Sequence, residues 1–337
     1  MKILINCPLP FALAHGGRSI QVEQTKAGLE AAGVEVEYLR WWDERQRGDL
    51  IHYFGAAPLD QLEHAQDKGI PVVMTNLFTA ACNRAESQLR RQGWLVQSIL
   101  RAPFGEGIKQ QLSWRSYSRC AANVVGLEAE RRVLELVYKI PRERVDVVPL
   151  GLERVYLEAG AGRREGDYLI CAGTITRRKN SVALARLARA AEAPILFVGK
   201  PYAETEAYWR EFQGLVDGRW VRHQPHVGDP AAMVALVKAA RGAVVMSDYE
   251  NWCLTAHEAA ACGVPVLLPR QNWSLERFGP QAQYFDGIGF SPRNRDILRQ
   301  FYADTPGLPA PAIQLLGWDE AGRRLKAVYE RVLRTSR

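Results

Sequence analysis

The sequence predicts two successive α/β domains, each a doubly wound parallel sheet with helices on both faces. Short apolar runs rich in β-branched residues alternate with amphipathic stretches almost throughout. That alternation is the mark of a covered parallel sheet. It lapses once, between Gly151 and Gly166, and then resumes. The chain has 337 residues, 47% hydrophobic and 24% charged, enough for two ordinary globular cores.

The first series of strands is expected at Ile3–Asn6, Val34–Leu39, Leu50–Phe54, Pro71–Thr75, Asn123–Gly126 and Val145–Val148. Helical spacing marks Ile20–Ala31 and Leu127–Val137 between them. The run GLERVYLEAGAGRREG, residues 151–166, reads as a linker by its Gly, Arg and Glu content. A second series follows at Tyr168–Ala172, Ile195–Val198, Trp220–His223, Ala243–Met246 and Val264–Leu268. Its helices include Ser181–Glu192, Ala231–Ala240 and Thr255–Cys262. Residues 318–333 form a last helix, with Asp319 and Glu320 in its first turn and Arg334 after its end, as the helix dipole favours. The expected division is 1–155 and 156–317, with the helix 318–337 packing back across the first domain.

Several chemistries are excluded early. Six cysteines stand far apart without a CxxC pair, as in reduced cytoplasmic proteins. No apolar run reaches 18 residues, so no spanning helix is expected. The stretch after Lys2 imitates a signal peptide, but Asn6, Pro8 and Pro10 interrupt it. Neither G-x-x-x-x-G-K-[ST] nor G-x-S-x-G occurs, and D-x-D and H-E-x-x-H are also absent. The glycines Gly160, Gly162 and Gly166 precede a strand, so they do not make a dinucleotide fingerprint.

Three stretches carry chemistry. In Ser247–Pro265 (SDYENWCLTAHEAAACGVP), Glu250 lies in a loop and Glu258 eight positions later inside a helix. The amides of Cys253, Leu254 and Thr255 open that helix, and such a start suits a phosphate. A ligand holding sugar, diphosphate and ribose in series would meet all three features. Gly173–Asn180 (GTITRRKN) places Arg178 and Lys179 at a strand-to-helix turn, where a diphosphate can be neutralised. After the first strand, His15-Gly16-Gly17-Arg18 allows a ligand to approach the backbone closely.

In this order, the pieces resemble the family 4 glycosyltransferases of the GT-B fold over nearly the whole chain. The matching positions are Gly16-Gly17, Val145–Gly151, Gly173–Asn180, the Glu250-x7-Glu258 segment and the terminal helix. The resemblance implies two Rossmann-like domains facing a cleft, and retaining transfer from a nucleotide-sugar with no metal or other cofactor. Lys179 and Arg178 would neutralise the diphosphate, Glu250 would hold the donor sugar and Glu258 the ribose. Gly16, Gly17 and Gly173 would lie against the donor, and His226 and Val227 fall where the family contacts the base. The chain departs from the pattern at Thr174, where members often carry Arg, and at Cys253, near a favoured glycine. It departs also at Asn76, where a His is common; Asn76 and His15 become acceptor-side candidates. Two other functions compatible with these residues are a nucleotide-sugar epimerase and a non-catalytic sugar-nucleotide or lipid-binding module.

Lys and Arg exceed Asp and Glu by seven. Residues 84–119 hold seven basic and two acidic residues, with Trp94, Phe104, Trp114 and Tyr117 interleaved, so most of the excess sits there. That pattern suits an anionic membrane surface and hence a peripheral enzyme with a sugar or lipid-linked acceptor. No nucleic-acid signature accompanies it, and no nucleic-acid partner is expected.

Overall fold

The computed structural model describes residues 1–11, 16–103, 105, 107, 109 and 112–335. Two compact units divide the chain, Met1–Gly151 with Leu316–Arg337, and Leu152–Leu315.

In the first unit, β1 (Lys2–Asn6), α1 (Gly17–Ala31), β2 (Glu35–Tyr38), β3 (Leu50–Phe54), α2 (Leu59–Asp67) and β4 (Val72–Thr75) run in alternation. Then come α3 (Glu86–Arg101), α4 (Ser116–Arg119), β5 (Ala122–Val125), α5 (Glu128–Val137) and β6 (Val145–Val147). All strands are parallel in the order β2-β1-β3-β4-β5-β6, with Ile3 opposite Val36 on one side and Leu50 on the other. Successive side chains along a strand face opposite ways. Ile3, Ile5, Leu50, Phe54 and Val73 therefore build one core, and Tyr53, Val72, Met74 and Val125 build the other.

The second unit starts with α6 (Arg154–Leu157) and β7 (Leu169–Ala172), then α7 (Ser181–Ala191), β8 (Ile195–Val198), α8 (Ala207–Gln213) and β9 (Val221–Gln224). It continues through α9 (Pro230–Ala239), β10 (Gly242–Val244), α10 (Leu254–Ala261), β11 (Val266–Pro269), α11 (Asn272–Phe278), β12 (Gln283–Phe285) and α12 (Pro292–Asp304). The parallel order β12-β11-β10-β7-β8-β9 runs outward in both directions from the β7/β10 neighbours. Ligands of such sheets bind beyond the strand ends at that reversal. β12 was not expected, because three residues between turns give no alternation to read.

The segment 151–166 is not the open linker its composition suggests. Leu152 and Tyr156 are buried, and the Gly162 and Gly166 amides donate to the Cys262 and Ala239 carbonyls. A Cβ at Gly162 would overlap the Lys238 backbone, so glycine is needed for this close approach.

The last helix, α13 (Trp318–Thr335), lies along α1 in the first unit. Gly28 and Gly322 make this possible: a Cβ at Gly28 would overlap the Trp318 carbonyl, and one at Gly322 the Gly28 carbonyl. Leu325, Val328, Tyr329 and Val332 complete the core above Ile3, Ile5 and Val22. Tyr329 and Thr75 hydroxyls bond the two ring nitrogens of fully buried His52, each at 2.6 Å.

Candidate donor site at the β7/β10 crevice

Two loops frame the reversal point of the second sheet. The first follows β7. Gly173 adopts φ +144° and its amide donates to Val198. Gly199, at φ +154°, crosses so near that a Cβ would overlap the Gly173 carbonyl. A single tight turn at Arg177–Lys179 follows, and the Lys179 amide donates to the capping Thr176 hydroxyl. The second loop follows β10 and carries Ser247 to Cys253. Several bonds lock the two together. The Asp248 amide donates to the Arg178 carbonyl at 2.7 Å, and the Asn180 side chain, on a left-handed backbone at φ +53°, donates to the Met246 carbonyl and Asp248.

This locking brings Arg178, Lys179 and Glu250 into contact. Glu250 is 6% exposed, and its Oε1 accepts from Arg178 at 2.8 Å and from the Lys179 ammonium. Burial works against its charge, but the Lys179 and Arg178 cations outweigh burial and hold Glu250 below the usual carboxylate range. Burial likewise opposes the Lys179 charge, and Glu250 in turn raises Lys179 above its ordinary value. In the empty site this is a compensated, desolvated ion cluster.

Beside it, α10 begins at Cys253, which adopts a left-handed conformation at φ +61°. No described hydrogen bond uses the amides of Cys253, Leu254 or Thr255, while the Thr255 hydroxyl donates to the Ala172 carbonyl and ties α10 to the end of β7. A helix start with unspent amides next to two cations is an anion site by elementary electrostatics. Behind it, His257 stacks on Trp252 at 4.5 Å between centroids and bonds the Cys253 carbonyl at 3.0 Å, fixing the turn.

Glu258 is half-buried in α10, and no described hydrogen bond or ion pair uses its carboxylate. Burial first, and the charge of Glu153 second, push it up to about 7. Glu153 and Tyr156 belong to the segment read as a linker, so both were missed. The available signal was the helical spacing of Leu152, Val155 and Tyr156 within that run. His226 and Val227 lie on the loop after β9, whose His223 ring bonds the Gly199 carbonyl at 2.9 Å.

The remaining candidates belong to the first unit. Gly16, at φ +135°, precedes α1, and Gly17 opens it with free space where a side chain would stand. His15 lies outside the described residues. Asn76 is 2% exposed; its amide nitrogen donates to Asn123 at 3.1 Å and toward the Met74 carbonyl at 3.4 Å, while its side-chain oxygen has no partner. It follows the end of β4, where its backbone amide donates to the Val124 carbonyl. Among the described residues no group of three or more His, Cys, Asp or Glu converges as a metal-ligand set. None of the described helices is long and apolar enough to cross a membrane.

Among solved structures, the chain is similar to HepE of Anabaena, crystallised with UDP and glucose, at a TM-score of 0.68 and 12% identity, covering 98% of this chain and 99% of that one. That likeness speaks for the fold, which is GT-B: two parallel six-stranded sheets flanked by helices. No family model matches. Two curated relatives do. D-inositol 3-phosphate glycosyltransferase 1 of Catenulispora acidiphila is 26% identical over 347 residues, 94% of this chain and 77% of the relative. The MMP alpha-(1->4)-mannosyltransferase of Mycolicibacterium hassiacum is 23% identical over 213 residues, 58% of this chain. That match spans 50% of the mannosyltransferase's own length. The fold is GT-B, both curated relatives are glycosyltransferases, and the family 4 resemblance drawn from the motifs fits them.

Proposed function

We propose that this protein transfers a sugar, with retention and without a metal, from a nucleotide-diphosphate sugar to a hydroxyl acceptor. The observation behind this reading is the Arg178–Lys179–Glu250 cluster at the sheet reversal, beside unspent helix amides. The cations and amides take the charge that develops on the departing diphosphate, in a site where water is largely displaced. Glu250 holds the two cations in place while the site is empty and accepts from donor-sugar hydroxyls when it is filled. Glu258 accepts from the ribose diol, and the loop at His226 and Val227 meets the base.

Glu250→Gln tests the central role while keeping the side chain's shape. Transfer should fall by about a hundredfold or more, the usual cost of one transition-state contact, with the circular dichroism spectrum unchanged. Wild-type turnover in that variant would remove Glu250 from the chemistry. Chelator should leave transfer unaffected, whereas dependence on added metal would overturn the metal-free reading. Product formed without any acceptor would point instead to an epimerase, and donor binding with no turnover across an acceptor panel to a binding module.

The first unit supplies a surface consistent with a lipid-linked acceptor at an anionic bilayer. On α3, Trp94, Leu95 and Ile99 are 69%, 53% and 43% exposed, outside the stripe of buried Leu89, Gly93 and Val96. Exposed Arg90, Arg91 and Arg101 flank them. The wider expectation is narrowed by three residues of the segment: Tyr117 is buried in the core, Trp114 is half-buried, and Lys109 is 2% exposed with its ammonium on the Ala102 carbonyl. Phe104 lies outside the described residues. Cosedimentation with phosphatidylglycerol vesicles should exceed that with phosphatidylcholine vesicles, and Arg91→Glu with Arg101→Glu should weaken it by tenfold or more at about 1 kcal/mol per basic residue. Equal binding to both vesicle types would overturn the surface reading.

A further inference from the structure

Two half-buried carboxylates of the second unit stand on neighbouring elements, neither paired with a protein group. Glu258 is in α10, Glu153 precedes the first turn of α6, and α6 packs against α10. Both are half-buried, neither has a hydrogen bond or ion pair through its carboxylate, and Glu153 makes no capping bond. The groups that act on Glu258 are few. Glu153, just before α6, and Lys179, in the loop after β7, act on it, while Tyr156 of α6 and Cys253 and Cys262 at the ends of α10 feel its charge in turn. Lys179 is the one cation of that set, and it is paired with Glu250. A pair of partly desolvated like charges is unfavourable in the empty protein, an arrangement that clusters at functional sites.

We infer that Glu153 is a positioning residue for the diol-binding Glu258, setting the protonation state in which Glu258 meets the ribose of the donor. This rests on the reading of Glu258 given above. Only an ionised carboxylate is purely an acceptor, free to take both vicinal hydroxyls. Burial and the negative neighbour oppose that ionisation, and two hydroxyl donors from the ribose restore it. Donor binding in acid therefore expels a proton from Glu258, and affinity falls as pH drops through the neutral range. Removing the Glu153 charge moves that fall to lower pH without altering the diol contacts themselves.

The test measures calorimetric affinity from pH 5.5 to 8.5 for UDP-glucose, GDP-mannose and ADP-glucose, using whichever binds tightest. Their diphosphates are diesters, so the ligand adds no neutral-range titration of its own. Glu153→Gln should leave affinity at pH 8.5 unchanged and move the acid limb down by about half a pH unit or more, roughly threefold in affinity at pH 6. Glu153→Ala should give the same shift, and Glu153→Asp should keep the wild-type profile. Glu258→Gln should weaken binding and abolish the limb. If Glu258→Gln does this but neither Glu153→Gln nor Glu153→Ala moves the limb, the role of Glu153 is overturned while the donor reading stands. If Glu258→Gln changes neither affinity nor profile, or if none of the three donors binds, the donor reading fails and this inference with it.

Discussion

Lys179 shows at the level of one residue how the site is held before a ligand arrives. Its ammonium sits in a desolvated position that only Glu250 makes tolerable. Removing one partner of a buried pair strands the other, typically at about 3–5 kcal/mol. Lys179→Ala is therefore expected to weaken nucleoside-diphosphate binding by calorimetry and also to lower the melting temperature, since Glu250 keeps Arg178 alone. Glu258 behaves oppositely. Its folded-state value near 7 lies above its ordinary 4.5, so the folded protein holds a proton that the unfolded chain has lost. That contribution is present below 4.5 and disappears as pH rises through about 7. Glu258→Gln should thus be more stable than wild type above pH 7, and less distinguishable from it at pH 5, in ligand-free thermal unfolding. Both glutamates and the basic pair were legible because their types and spacing sit in a strand–loop–helix frame. Glu153 was not, because its neighbours in sequence are charged and small and its relation to Glu258 exists only in three dimensions.

Among the elements, the strands of both sheets were readable where short apolar or alternating runs stood between turn residues and helical stretches. β12, Gln283–Phe285 at the sheet edge, is too short for either pattern. The short helix α6 was hidden for a similar reason, since four residues do not establish a period. The contact between α1 and α13 was also unreadable, because it depends on two glycines 294 positions apart meeting backbone to backbone. Glycine inside a helix costs about 0.5–1 kcal/mol relative to alanine, so both positions look like defects until the partner is seen. Gly322→Ala should reverse that expectation and destabilise the first unit by about 1–3 kcal/mol, the usual cost of overpacking, in denaturant unfolding. Tyr329→Phe should cost a further 1–3 kcal/mol, because it leaves a ring nitrogen of His52 buried without its hydroxyl partner.

Over the whole molecule, each unit has a sheet and core of its own, so stability and binding are expected to be separable by region. A nucleoside diphosphate at a hundred times its dissociation constant adds about 2.7 kcal/mol to the state that binds it. Hydrogen exchange should show the added protection in β7, β10 and α10. The protein as a whole should lose stability in acid for another reason. Burial holds His52 and His257, one in each unit, down at about 3. Unfolded histidines take up protons below about 6.5, so stability falls progressively as pH drops from there toward 3.

The return of α13 to the first unit also orders events during synthesis. The core formed by Ile3 and Ile5 of the first sheet and Val22 of α1 is covered by side chains from Leu325 onward. A ribosome finishes every residue of the second unit before it supplies that cover, so the nascent first unit waits with an apolar face bare. Domains emerging first generally fold first; here the earlier unit is completed only after the later one, and loss of residues 318–335 would be felt most by the unit whose strands emerge before the other's.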